Sequence, residues 1–256
     1  MSTRPTIIPI FQILVTALIS LCLLVSCDPA PVVTYEADQS EYYEEAAVVT
    51  GHPLASDVGK DILAKGGNAV DAAVAVQLAL AVVYPRAGNI GGGGFLVYRA
   101  ADGTVSALDY REKAPAKANR DMYLDSLGEP IQGLSTKGHL AAGVPGTVAG
   151  MVEAHKRYGS LPWAELVQPA IDLAKQGYTI SETEAERLNR FQEDFARYNN
   201  ESCPFIKSEW AIGDILRQTG LAATLERIRD KQRAGFYEGE TADLIVAEME
   251  SGGGYI

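Results

Sequence analysis

The sequence predicts an α/β (α+β) fold in which buried helices pack in layers with β structure. Three features carry this prediction. Residues 69–83, AVDAAVAVQLALAVV, read as a helix that is apolar nearly all round, and such a helix needs cover on every side. Two β-forming runs, FLVYR and TVSALDYRE, flank Asp102-Gly103, a strong hairpin signal. Beyond them the chain is a series of helical patterns with start and stop residues.

Taken in order, residues 1–26 read as a targeting segment. Arg4 gives a basic start, Ile7 to Val25 is apolar, and the stretch ends in Leu24-Val25-Ser26-Cys27. That is the pattern of a secretory signal. Its ending resembles a bacterial lipobox, in which Cys27 becomes the lipidated first residue. A transmembrane anchor is the alternative, because the stretch is about long enough to span a bilayer. Either way the body is exported, in the periplasm or cell envelope, and held at a membrane. Residues 27–45 are acidic and proline-containing and read as a tether. Residues 46–256 read as one domain, entered through a short strand at Ala46–Val49.

Ser56 is a suitable cap for a helix over 57–65, and Gly66-Gly67 supply its left-handed close. Asn68 caps the apolar helix and Pro85 ends it. In the hairpin, both faces of FLVYR are largely apolar, which predicts an interior layer. One helix closes at Gly159. The next begins near Pro162 and ends at Gly177, with Pro169 expected to kink or split it. Ser181 to Glu184 form a capping box for a helix reaching Tyr198. Two more helices are predicted near 221–233 and 242–249. The closing MESGGGYI reads as the approach to a further strand, so the sequence looks truncated.

The formal charge is −11. Removing the first 26 residues, whose only charged side chain is Arg4, makes it one unit more negative. An acidic body repels phosphates, which excludes non-specific nucleic-acid binding. Of the cysteines, Cys22 leaves with the signal, Cys27 takes lipid, and Cys203 stands alone in NNESCPF. No disulfide framework or metal-ligand spacing follows.

The run GNIGGGGFLVY, Gly88 to Tyr98, poses the main question. A phosphate loop or dinucleotide site needs strand, glycines, then helix. Here helix precedes the glycines and strand follows. The glycines are therefore read as a place where another backbone or a ligand comes close. Arg111 follows the second hairpin strand. Its planar fork can grip a carboxylate, but on composition alone an ion pair with Glu112 or Asp109, or plain solvation, is the favoured account. His52, His139 and His155 form no metal motif; His52 reads as closing a turn and His155 as surface. Asp57 and Asp61 share a solvated helix face with Lys60 and Lys65. Thr147 and Thr241 sit in helical contexts.

Four stretches together, GHPLASDVGKDILAKGGNAVDAAVAVQLAL, PRAGNIGGGGFLVY, LDYREKAPAKANRDMY and GVPGTVAGMVEAHKRYG, resemble the γ-glutamyltransferase (γ-glutamyltranspeptidase) family, in its larger, N-terminal subunit. The likeness runs from about Ala46 to Gly254. It implies the αββα sandwich of N-terminal-nucleophile hydrolases, with only the N-terminal part present here. It implies γ-glutamyl transfer from, or hydrolysis of, glutathione and related γ-glutamyl amides. The family's precursor cuts itself ahead of a threonine that becomes the nucleophile, with its own α-amine as base. It also implies that Arg111, in REKAP, binds the donor's α-carboxylate. The resemblance assigns the nucleophile to the small C-terminal subunit and matches no threonine of this chain to it. The chain alone is therefore expected to be inactive, and no cofactor or metal is implied. Two alternatives stay open: a β-lactam (glutaryl-type) acylase of the same superfamily, and a non-catalytic membrane-tethered lipoprotein.

Overall fold

The computed structural model describes residues 43–200 and 202–256. The signal-like segment, Cys27 and nearly all of the expected tether lie outside the described residues. The chain divides into two units, Met1–Glu44 and Glu45–Ile256. Every described helix and strand belongs to the second.

Helix α1 spans Pro53–Ala64, four residues earlier than the expected start at Asp57. Pro53 has no N–H to satisfy and its φ is preset for the first helical position. The cap is His52, whose Nδ1 accepts from the Leu54 N–H at 3.3 Å. Ser56 instead lies inside the first turn, 2.9 Å from the Thr50 hydroxyl. Gly66, at φ +90°, turns the chain out of α1.

Helix α2 spans Ala69–Val83, as predicted. Asn68 Oδ1 accepts from the N–H groups of Val70 and Asp71, and Asp71 returns a bond to the Asn68 N–H at 2.9 Å. This reciprocal box satisfies orphan donors of the first turn. Val74, Leu78 and Val82 are fully buried; each contributes about 1.5–3 kcal/mol by leaving water. The cover comes mostly from helices: α1, α3 (Thr147–Tyr158) and α4 (Trp163–Gln176) all pack on α2.

The predicted hairpin forms. Strand β1 (Phe95–Arg99) pairs antiparallel with β2 (Val105–Asp109), from Phe95 opposite Asp109 to Arg99 opposite Val105. Gly103, at φ +89°, makes the turn. Leu96, Tyr98 and Leu108 face the helical core. The other face is open: Phe95 is 64 % exposed, Val97 78 % and Val105 64 %. The interior layer expected from the two-sided apolar pattern is thus covered on one side only among the described residues. The sheet there has two strands, and no described segment lies over that face.

Three other expectations need correction, and one feature was not expected. Ala46–Val49 forms no strand, because no described segment pairs with it; Val49 is 93 % exposed, while Val48 packs on Gly59 of α1. Pro169 does not break α4. The carbonyl it leaves without a donor is that of Glu165, an exposed residue where water serves. Meanwhile Leu166, Val167, Ala170 and Ile171 hold the buried side. The helix begun by the Ser181–Glu184 box is divided at Phe191 into α5 (Glu182–Arg190) and α6 (Gln192–Tyr198). There the Leu188 carbonyl accepts from the Phe191 N–H and from the Gln192 side chain, which also reaches the Phe205 carbonyl. Finally, a two-residue antiparallel pair, β3 (Tyr178–Thr179) with β4 (Ile215–Leu216), was not predicted.

The remaining helices are α7 (Thr219–Lys231), α8 (Ala234–Tyr237) and α9 (Glu240–Ser251). Helix α7 packs on α4. The buried Trp163 indole N–H donates to the Ile228 carbonyl at 3.0 Å, so the contact carries no unsatisfied polar atom.

Candidate functional site

The glycine run packs against the backbone that leaves β2. A Cβ on Gly93 would stand 2.7 Å from the Arg111 Cα, the Glu112 N and the Tyr110 O. A Cβ on Gly88 would strike the Leu80 carbonyl of α2 at 2.0 Å. At the same strand exit, a Cβ on Gly146 would meet the Tyr110 carbonyl at 2.0 Å. The Tyr110 ring fills the space that side chains on Gly94 and Gly150 would need, and its burial raises the phenol pKa. Gly88 and Gly93 are therefore places of close backbone approach, as the order of the run in the sequence suggested, while Gly91 faces open space, and residues 110–112 are packed by both Gly93 and Gly146.

Two polar residues lock this arrangement. Asn89 Oδ1 accepts from the Gly92 N–H at 2.9 Å and from the Thr147 hydroxyl at 2.7 Å. The Gly92 carbonyl accepts from the N–H groups of Gly146 and Thr147 at 2.7 and 3.1 Å. Thr147 is fully buried at the start of α3. Sequence reading did not single out either side chain for this role. The available signal was an amide directly after Gly88 and a hydroxyl directly after Pro145-Gly146.

Arg111 emerges from this grip. Alternation along β2 puts it on the open face with Val105, Ala107 and Asp109. Its guanidinium lies 5.8 Å from the centre of the Phe95 ring, within cation–π range. The side chain is exposed and makes no ion pair with Glu112, Asp109 or any other described residue. Asp109 Oδ1 accepts the backbone N–H of Arg111 instead, at 3.0 Å. The ion-pair alternative is thus not what this structure holds.

The histidines serve three separate places. His52 caps α1, sits 3.6 Å from Glu184 and meets the Tyr178 ring edge-on. Burial lowers its pKa, and Glu184 offsets part of that. His139 pairs with Glu248 at 2.9 Å. His155, expected at the surface, is half-buried: its Nε2 lies 2.8 Å from the Leu161 carbonyl and its ring packs on Trp163. The turn between α3 and α4 folds back over it. Among the described residues no group of His, Cys, Asp or Glu is placed to hold a metal. Cys203 lies alone in a turn, half-buried. Asp57 and Lys60 form an exposed pair at 3.6 Å, the solvated face expected. The Thr241 hydroxyl donates to the Gly235 carbonyl.

The model of the family described as Gamma-glutamyltranspeptidase matches residues 55–256. This chain belongs to the γ-glutamyltranspeptidase family. It is 48 % identical over 216 residues to a glutathione hydrolase proenzyme of Pseudomonas sp. (strain A14), which covers 83 % of this chain and 38 % of that protein. It is 43 % identical over 235 residues to the glutathione hydrolase proenzyme of Escherichia coli (strain K12), covering 89 % and 40 %. The crystal structure of Helicobacter pylori γ-glutamyltranspeptidase superposes with a TM-score of 0.82 at 47 % identity, over 85 % of this chain and 63 % of that one. The chain thus spans about two fifths of the length of these curated relatives. The fold class is the α+β class of N-terminal-nucleophile hydrolases, as the resemblance implied. The glycine grip and Arg111 lie inside the matched γ-glutamyltranspeptidase region.

Proposed function

We propose that this chain is the scaffold and donor-binding part of an enzyme that transfers or hydrolyses the γ-glutamyl group of glutathione and related γ-glutamyl amides. Arg111 binds the donor's α-carboxylate. The observation that carries this reading is the state of Arg111: an exposed guanidinium without an acidic partner among the described residues, on backbone closely packed by Gly93 and Gly146. Such a fork offers two parallel charge-assisted bonds to a carboxylate.

In this reading the nucleophile is a threonine in polypeptide outside these 256 residues, the small subunit of the same precursor. Its hydroxyl attacks the γ-carbonyl while its α-amine takes the proton. The proton passes to the leaving amine, and water or an amine acceptor then releases the γ-glutamyl group. With the carboxylate anchored on Arg111, the γ-carbonyl is held at a set distance from that nucleophile. Cys27 would carry lipid and hold the enzyme at the cell envelope.

In the complete precursor, Arg111→Ala should raise KM for γ-glutamyl p-nitroanilide strongly. Loss of a desolvated, hydrogen-bonded charge contact costs about 2–5 kcal/mol. An unchanged KM would refute the role of Arg111. The 256-residue chain by itself should not cleave that anilide, and measurable turnover would refute the assignment of the nucleophile to the other subunit.

A further inference from the structure

We infer that Thr147 and Asn89 are positioning residues for Arg111, acting through the glycine backbone and not through the substrate. The inference rests on the carboxylate-binding reading of Arg111.

Four contacts make the case. The Thr147 hydroxyl donates to Asn89 Oδ1 at 2.7 Å, and the same oxygen accepts the Gly92 N–H at 2.9 Å. The Gly92 carbonyl takes the N–H groups of Gly146 and Thr147. Gly92 is thus tied at its N–H and its carbonyl to the start of α3. The next residue, Gly93, is the surface on which the Arg111 Cα rests, and Gly146 closes on the Tyr110 and Arg111 carbonyls. Separating α3 from the glycine run therefore opens the grip on residues 110–112.

The grip works through small residues, so it supplies close contact but few directional bonds of its own. The Lys113–Val144 bridge is the next backbone tie. Between it and the hairpin, the Tyr110–Gly94 bond at 3.0 Å and the Asn89–Thr147 lock set where the strand exit lies. Thr147 is fully buried, so its hydroxyl has no water to fall back on. Removing it leaves the half-buried Asn89 oxygen with one donor fewer and α3 tied to Gly92 only by the two backbone bonds at its carbonyl. A guanidinium displaced by a fraction of an ångström still binds an anion, but no longer at the orientation that presents the γ-carbonyl. A misplacement of about 1 Å can cost on the order of a hundredfold in rate or binding.

The test uses the complete precursor with γ-glutamyl p-nitroanilide. Thr147→Val keeps the shape and removes the hydroxyl; Thr147→Ser keeps the hydroxyl. Thr147→Val should raise KM by about tenfold with a much smaller change in kcat. Thr147→Ser should stay near the parent. In an Arg111→Ala background Thr147→Val should add no further rise in KM, because the residue it positions is gone. Should Thr147→Val fail to fold, Asn89→Ala enters the same cycle with the same expectation. An equal KM rise in Thr147→Ser, a KM unchanged in Thr147→Val, or full additivity with Arg111→Ala would each overturn the inference. If Arg111→Ala itself leaves KM unchanged, the functional reading fails first; if Arg111→Ala raises KM and Thr147→Val does not, only the positioning role fails.

Discussion

The Cα of Arg111 occupies the space that a side chain on Gly93 would require, with a Cβ there coming within 2.7 Å. Both atoms in that contact belong to backbone-fixed positions, so neither yields by a rotamer change. Gly93→Ala should therefore shift the strand exit. Overpacking of this kind costs about 1–3 kcal/mol. We expect a lower Tm together with a higher KM for the γ-glutamyl donor in the complete precursor. A parent-like Tm and KM would show that the contact is slack.

Asp71 ties the start of α2 to the turn between α3 and α4. It is fully buried and accepts from the Ser160 hydroxyl and from the N–H groups of Asn68, Ser160 and Leu161. Burial acts to raise its pKa, but these donors outweigh it and the net shift is downward. The helix N-terminus also favours the carboxylate. With a folded pKa below the unfolded one, the stabilisation is complete above the usual carboxylate range, about pH 4, and is lost as pH falls through the folded value. Asp71→Asn should cost about 1–3 kcal/mol at pH 7. Urea unfolding of the two proteins should converge as the medium is acidified below pH ~4. A gap that widens in acid would contradict the assignment.

Leu78 lies at the centre of α2 with no exposed surface and is enclosed by helices. Leu78→Ala should cost about 2–5 kcal/mol, the larger part if the surrounding helices do not collapse onto the void. Thermal unfolding followed by circular dichroism measures it. A loss under about 1 kcal/mol would mean the site repacks freely.

Phe95, Val97 and Val105 form an exposed apolar patch on the hairpin. Patches of this type drive association. The 256-residue chain should self-associate in sedimentation experiments as its concentration rises, and Val97→Lys should suppress this by placing a charge in the patch. Equal association by both proteins would move the contact elsewhere.

Some of this architecture was legible because the signals were local. Helix α2 begins after Asn68 and stops before Pro85, where an amide cap and a missing N–H dictate it. The hairpin turned at Asp102-Gly103 because Gly103 takes a positive φ without cost. The misreadings were of another kind. His52 caps α1 because Pro53 makes that position available, and Pro169 stays inside α4 because the lost bond faces solvent on an otherwise buried helix. Ala46–Val49 had strand composition without a described partner. Arg111 was reached through the likeness of REKAP to a family, while composition alone favoured an ion pair or plain solvation.

What the sequence determined by itself was therefore the set of local commitments: which segments turn, where most helices begin and end, and that the glycines follow a helix and precede a strand. Those choices depend on φ preferences, caps and apolar period, all written within a few residues. The tertiary structure decided what the glycines are for. Asn89 and Thr147 stand 58 residues apart, and Gly93 meets Arg111 only once β1 has paired with β2. Contact between backbones leaves no compositional trace beyond the absence of a Cβ, so only the packed molecule shows which backbone fills the space.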